Sequence, residues 1–265
     1  MNAQSDNTKA IFYGLGAVLL WSTVATAFSL SLKHFSPTQL LLVANLVSLV
    51  FLICLIVLKG ETKQLIQLAK QSWKSSLFFG AINPFLYYLI LLQAYDTLPA
   101  QEAQVINYTW AITLSFMAVP ILKQRLKTAD YIAAAACYFG VLYIATRGQI
   151  GALEFSNASG VAFALLSTII WAMYWLLNTK DTRPSLIGLT LNFLFALPII
   201  LVYAAATGEL THWDNAGLWG AVYIGFFEMG LSFILWLKAM RLTQNTARIS
   251  TLIFLSPPLS LILIW

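Results

Sequence analysis

The sequence predicts an all-α polytopic membrane protein built as an inverted repeat of two five-helix units, with nine spans present and a tenth missing. Three observations carry this. The 265 residues are 60% hydrophobic and only 9% charged, with a mean hydropathy of +0.78, far from the average of a water-soluble domain. Apolar runs of about 20 residues, the length that crosses a bilayer, recur nine times. Finally, several rare residues in the first five runs have counterparts at matching positions in the next four. A water-soluble enzyme is excluded, and nine spans with short connections leave no length for a further domain.

The runs, bounded by charges or turn residues, are 10–32, 38–58, 73–95, 99–122, 126–146, 158–179, 184–206, 217–240 and 246–265. In the first, a faint signal-peptidase site at residues 25–27 lies inside a run that continues past it, so the span is read as uncleaved. Of the 15 lysines and arginines, all but Lys33 and Arg147 fall on one side when the amino terminus is cytoplasmic. That bias predicts the orientation. It also disposes of the net charge of +5 as a nucleic-acid signal, because the charges are spread over short loops. Cys54 and Cys137 lie in apolar runs with no ligand or partner nearby in sequence, so neither a disulfide nor a metal is expected. No cofactor motif is visible, and without a nucleotide-binding loop ATP cannot drive this chain directly.

The repeat rests on particular residues. Pro37 and Asn45 of the second run match Pro184 and Asn192 of the seventh at the same spacing, and Trp21 matches Trp171. Gly80 and Asn83 align with Gly225 and Glu228, and Ala94 with Ala239. An odd number of spans per unit makes the second unit enter the membrane from the opposite side, and inverted repeats place binding sites at their shared interface. The repeat predicts a tenth span beyond Trp265.

Glu228 is the one acid in the middle of a run, about twelve residues or ~18 Å from either end. An ionisable side chain at that depth is costly, and is by default a functional site facing a cavity or the bundle interior. It would exchange a proton or pair with a substrate ammonium. A protonated carboxyl bonded between helices is the structural alternative. Asn83 holds the repeat-related place, and Pro84 after it removes a backbone bond, so a break near mid-membrane is expected. A plain proline kink explains the same residues. Trp21, Trp110 and Trp171 lie mid-run, away from the interfaces where tryptophan usually gathers, and are candidates for aromatic walls or cation–π contacts. Packing explains each singly. Asn83 with Tyr87, Asn107 with Trp110, Trp171 with Tyr174, and Glu228 with Ser232 share helix faces. These predict a cavity among the first, third, fourth, sixth and eighth runs, with the fifth, carrying alanines 133–136, as peripheral scaffold. Glu102, and the basic residues around Lys123 and Arg241, are read as topology markers. His34 and His212 are read as surface residues too isolated for metal or acid–base work. Pro257 and Pro258 mark a looser ninth helix.

These residues resemble the drug/metabolite transporter superfamily, in its ten-helix branch of two EamA-type repeats. Residues 14–22 (GLGAVLLWS) look like the opening-helix pattern of that family, and residues 255–260 (LSPPLS) like its late-helix signature. Residues 106–110 (INYTW) and 247–252 (ARISTL) look like the aromatic amino-acid exporter subgroup, although Ala111 stands where that subgroup has proline. The resemblance implies EamA-type repeats at 1–147 and 148–265, the second lacking its last helix. It implies a non-enzymatic secondary transporter in a bacterial inner membrane, monomeric or homodimeric. Such a protein would export aromatic or neutral amino acids by alternating access, and the mid-run position of Glu228 makes that residue the candidate for proton coupling. Trp21, Asn83, Tyr87, Asn107, Trp110, Trp171, Tyr174 and Glu228 are the expected substrate-binding residues. A proton-coupled exporter of organic cations is the alternative. A membrane enzyme lacks a visible nucleophile or acid/base pair, and a structural protein would leave Glu228 dry.

Overall fold

A computed structural model of the chain describes residues 3–123, 126, 128–145, 148, 157–211, 213–256 and 259. Arg125, Lys127, Arg147, His212, Pro257, Pro258, Trp265 and the boundary at 147/148 lie outside the described residues, as do the expected tenth span and the side chains of Ala133 and Cys137.

Every described element is helical. Seven segments are long and apolar enough to cross a membrane: Asn7–Ser31, Pro37–Leu58, Trp73–Thr97, Ala100–Leu122, Ala158–Lys180, Ser185–Ala206 and Asn215–Leu242. The fifth expected run is the 18-residue helix Thr128–Ala145, and the ninth begins as the helical stretch Thr246–Leu255.

Several of these segments are interrupted, which sequence periodicity does not show. The first divides into α1 (Ala3–Trp21) and α2 (Val24–Ser31). At the junction, the hydroxyls of Ser22 and Thr23 bond back to the carbonyls of Val18 and Leu20, each at 2.8 Å, competing with the helical ladder. The second, α3 (Pro37–Leu58), starts from a capping box between Ser36 and Gln39 with proline in the first turn. A short helix α4 (Thr62–Gln71) leads to α5 (Trp73–Gly80), a π-helical turn Ala81–Leu86 and α6 (Tyr87–Thr97). Pro84 lies in that π turn, and Asn83 leaves helical geometry altogether (φ −153°, ψ 123°). The fourth segment joins α7 (Ala100–Tyr108) to α8 (Trp110–Leu122) at Thr109, and α9 (Thr128–Ala145) follows. Then come α10 (Ala158–Lys180) and α11 (Ser185–Ala206). The eighth segment contains α12 (Leu218–Tyr223), a second π-helical stretch Ile224–Leu231 and α13 (Ser232–Leu242). Helix α14 (Thr246–Ser250) opens the last described stretch.

The packing is reciprocal. α1 packs against α13 and α6 against α10, while α3 packs against α11. Gly80 meets the backbone of α11 at Asn192 and Ala196, and Gly225 meets α3 at Ala44 and Val47. Glycine is required at both places because a Cβ would fall inside the neighbouring backbone. α9 leans on α7 at the periphery. Large apolar side chains such as Phe12, Leu58, Val202 and Trp219 are exposed on the outside, as a lipid-facing belt requires. The helix termini gather at two ends. One carries His34, Ser36, Glu209 and Asp214, and the other carries Ser76, Asp181, Arg183 and Arg241.

Candidate functional site

Glu228 is held in the π-helical stretch Ile224–Leu231. Gly225 and Gly230 flank it, both poor helix formers, and π turns inside helices often mark functional positions. The side chain is 5% exposed. Its Oε1 accepts a 2.9 Å bond from the Tyr88 hydroxyl, while its Oε2 has no partner. Its backbone carbonyl accepts from Trp21 Nε1 at 3.4 Å and from the Ser232 hydroxyl. The pairing with Ser232 expected from helical spacing is therefore to the Glu228 backbone, not its carboxylate.

Around this carboxylate stands an aromatic cluster. The rings of Trp21, Trp110 and Trp171 lie 5.8–6.4 Å apart, edge to face. Tyr87 stacks on Trp171 at 4.2 Å with an interplanar angle of 29°. Such offset and edge-on pairs are the favourable geometries. Trp236 closes the cluster, 5.1 Å from Trp21 and 5.4 Å from Trp110. Nothing in the sequence distinguished Trp236 from a packing residue. The indole Nε1 of Trp171 is buried without a partner.

The cavity here is about 20 Å³, room for about one water molecule in this conformation. Trp21, Tyr87, Asn107, Trp110, Trp171 and Glu228 line it, with Val24, Phe28, Tyr95, Tyr108 and Ile253 among their neighbours. Asn107 is fixed by donating to the Ser167 hydroxyl at 2.9 Å. The Tyr108 hydroxyl, which sequence reading passed over, lies 3.0 Å from that of Ser256 and accepts from Gln104 at 3.1 Å. Among the described residues, no lysine, arginine or histidine faces this cavity.

Two expected residues stand apart from it. Tyr174 turns to a polar cluster at the Arg183 end, where its hydroxyl accepts from Asn192 at 3.4 Å. Asn83 is fully buried at the helix break with neither amide atom bonded, and it does not line the cavity. Arg183 itself is 6% exposed. It pairs with Asp181 at 2.7 Å and donates to Ser76 and Asn192 at 2.6 and 3.0 Å. Arg241 donates to the backbone of Arg183 and Asn178, so it packs the end of the bundle as well as marking topology. His34 is not isolated either, since it meets Asp214 at 2.7 Å. Among the described residues no group of three metal-ligating side chains occurs.

Residues 8–146 and 158–265 match the EamA-like transporter family. The chain belongs to that family. It is an integral membrane protein. Two proteins of Bacillus subtilis (strain 168) are similar to it. "Uncharacterized transporter YyaM" is 25% identical over 205 residues, covering 74% of this chain and 66% of its own length, just under two thirds. "Uncharacterized transporter YojE" is 21% identical over 266 residues, covering 98% of this chain and 85% of its own. A solved crystal structure is similar over 97% of this chain and 87% of its own, with a TM-score of 0.75 and 21% identity, a likeness of fold alone.

Proposed function

We propose that this EamA-family chain is a secondary transporter that exchanges a small organic ammonium compound with an aromatic or apolar body against protons. The observation that carries the reading is Glu228 Oε2, an unpartnered buried carboxylate oxygen in an aromatic cavity with no basic residue among its described lining. A carboxylate there satisfies either an ammonium or a proton, and holding one excludes the other. That exclusion is the simplest form of coupling. Ring faces favour the same ligand through cation–π attraction, which strengthens where water is excluded.

Export of aromatic amino acids is the second reading, and one observation favours it: Trp171 Nε1 is a buried donor without a partner, suited to a substrate carboxylate. Alternating access between repeats at 1–147 and 148–265 is supported by the reciprocal seating of Gly80 on α11 and Gly225 on α3. It is also supported by the π-helical segments, which fall at the aligned positions of Asn83 and Glu228. The charge bias supports a cytoplasmic amino terminus, with the His34 end outside, and the Bacillus relatives support a bacterial cell membrane.

The test is uptake of a labelled cationic dye and of labelled tryptophan into liposomes holding the full chain, with and without a pH gradient. Gradient-dependent dye accumulation that Glu228→Gln abolishes supports the first reading. Tryptophan uptake lost in Trp171→Phe supports the second. If Glu228→Gln transports like the parent, coupling does not run through this carboxylate.

A further inference from the structure

A second cavity lies at the His34 end between α2 and α12. It is a groove of about 580 Å³, open to the surroundings, and Thr23, Thr26, Ala27, Leu30, Ser31 and Tyr223 are among its walls. The central cavity is lined from the same helix by Val24, Ala25 and Phe28. Helical spacing puts these two sets on opposite faces of α2, so this eight-residue helix is the partition between the two spaces. We propose that the outer groove is the vestibule through which the transported compound passes between the central cavity and the His34 end, and that α2 is the gate between them. This rests on the transport reading above.

Four features fit α2 for that task. The break at Ser22–Thr23 separates it from α1, so it can swing without dragging the rest of the segment. On the groove side a hydroxyl pair, Thr23 with Tyr223 at 2.5 Å, ties its start to α12. At its end, Ser31 is buried with an unpartnered hydroxyl against Gly220, where a Cβ would overlap it. The seat is close and has no hydrogen bond to break. On the cavity side it is held by ring edges, Phe28 lying 5.1 Å from Tyr95 and 6.4 Å from Tyr88. The groove chemistry suits release. Hydroxyls line it, no carboxylate does among the described residues, and Lys33 lies at its wall. An ammonium leaving Glu228 therefore meets hydrogen-bond partners along the groove, and the carboxylate nearest its walls, Asp214, is already engaged by His34.

The test uses the full chain with Cys54 and Cys137 replaced by alanine. The Cβ of Ser31 lies 3.3 Å from where a Gly220 Cβ would be, close to the range of a disulfide. Oxidising Ser31→Cys with Gly220→Cys should cut transport of the dye at least tenfold relative to the same variant kept reduced, with recovery on reduction, while oxidation changes neither single variant relative to its own reduced form. A confirmed disulfide with unchanged transport overturns the gate. A second arm needs no transport. Ala27→Cys, on the groove face, should react with a membrane-impermeant maleimide applied at the His34 side. Ala25→Cys, on the cavity face, should react from that side more slowly, and several-fold faster when Tyr223→Phe removes the tie. If Ala25→Cys is unreactive from that side in both proteins, α2 does not open there, whatever the chain transports.

Discussion

Gly80 lies so close to Asn192 that a Cβ on it would be 2.4 Å from the Asn192 carbonyl oxygen, and Gly225 stands in the same relation to Ala44, at 2.6 Å. In both cases the neighbour is backbone, which cannot rotate away. Gly80→Ala and Gly225→Ala should each destabilise the protein by about 1–3 kcal/mol through overpacking, seen as a drop of a few degrees or more in thermal unfolding in detergent. Gly140, with nothing within 4 Å of its Cβ position, is the control. There alanine should be neutral or gain up to about 1 kcal/mol from helix propensity. Equal effects at all three positions would remove the packing argument.

Among the described residues, the Tyr88 hydroxyl is the one side-chain partner of the Glu228 carboxylate. Tyr88→Phe keeps the ring contacts with Phe28, Tyr87, Trp171 and Phe233 and leaves Oε1 without its donor. Losing a hydrogen bond to a charged group costs about 1.5–3 kcal/mol. With the carboxylate no longer aimed, the half-saturating dye concentration should rise about tenfold or more, tenfold corresponding to about 1.4 kcal/mol. A dye titration of initial uptake rates measures this, and an unchanged half-saturation point means that Tyr88 does not position Glu228.

These residues show which parts of the architecture are legible in sequence. The apolar runs are, because crossing a bilayer demands length and composition that little else imitates. Trp21, Asn107, Trp110, Trp171 and Glu228 stand out because tryptophans, amides and acids are unusual at mid-membrane. Tyr88 was missed for a geometric reason. A reading at 3.6 residues per turn pairs Asn83 with Tyr87, but the π-helical turn Ala81–Leu86 and the break at Asn83 shift the register between them. Arg183 and Arg241 were illegible because a basic residue at a helix end looks like a topology marker until folding buries it. The Asp214 partner of His34 lies 180 positions away in the chain, beyond any local pattern.

The buried Arg183–Asp181 pair predicts a strong asymmetry between single and double substitutions. Both side chains are below 10% exposure, so removing one charge leaves the other buried without its directly paired counter-charge. Arg183→Met alone should cost about 3–5 kcal/mol, whereas removing both charges of such a pair is often close to neutral. Arg183→Met with Asp181→Asn should therefore recover much of the loss, although Ser76 and Asn192 still lose their guanidinium donor. Equilibrium unfolding of the parent, the two single variants and the double variant in detergent gives the coupling term. A double variant as unstable as the sum of the singles would show that the charges act independently.

Asp214 sits outside the membrane-spanning segments. The backbone N–H of Ala216, at 3.0 Å, and the His34 ring hold its carboxyl below the usual aspartate range. A carboxyl whose folded-state value is depressed contributes stability above its unfolded value, near 3.9 for aspartate. That contribution disappears as pH falls through the lower folded value. From pH 7 to 5 Asp214 is ionised in both states and its contribution stays level. The gap in thermal midpoint between the parent and Asp214→Ala should therefore be flat across that interval from this group and narrow only below about pH 4. The site is exposed, so the gap should be small. A gap that instead closes between pH 7 and 5 would show that the fold does not hold the Asp214 carboxyl below its usual range.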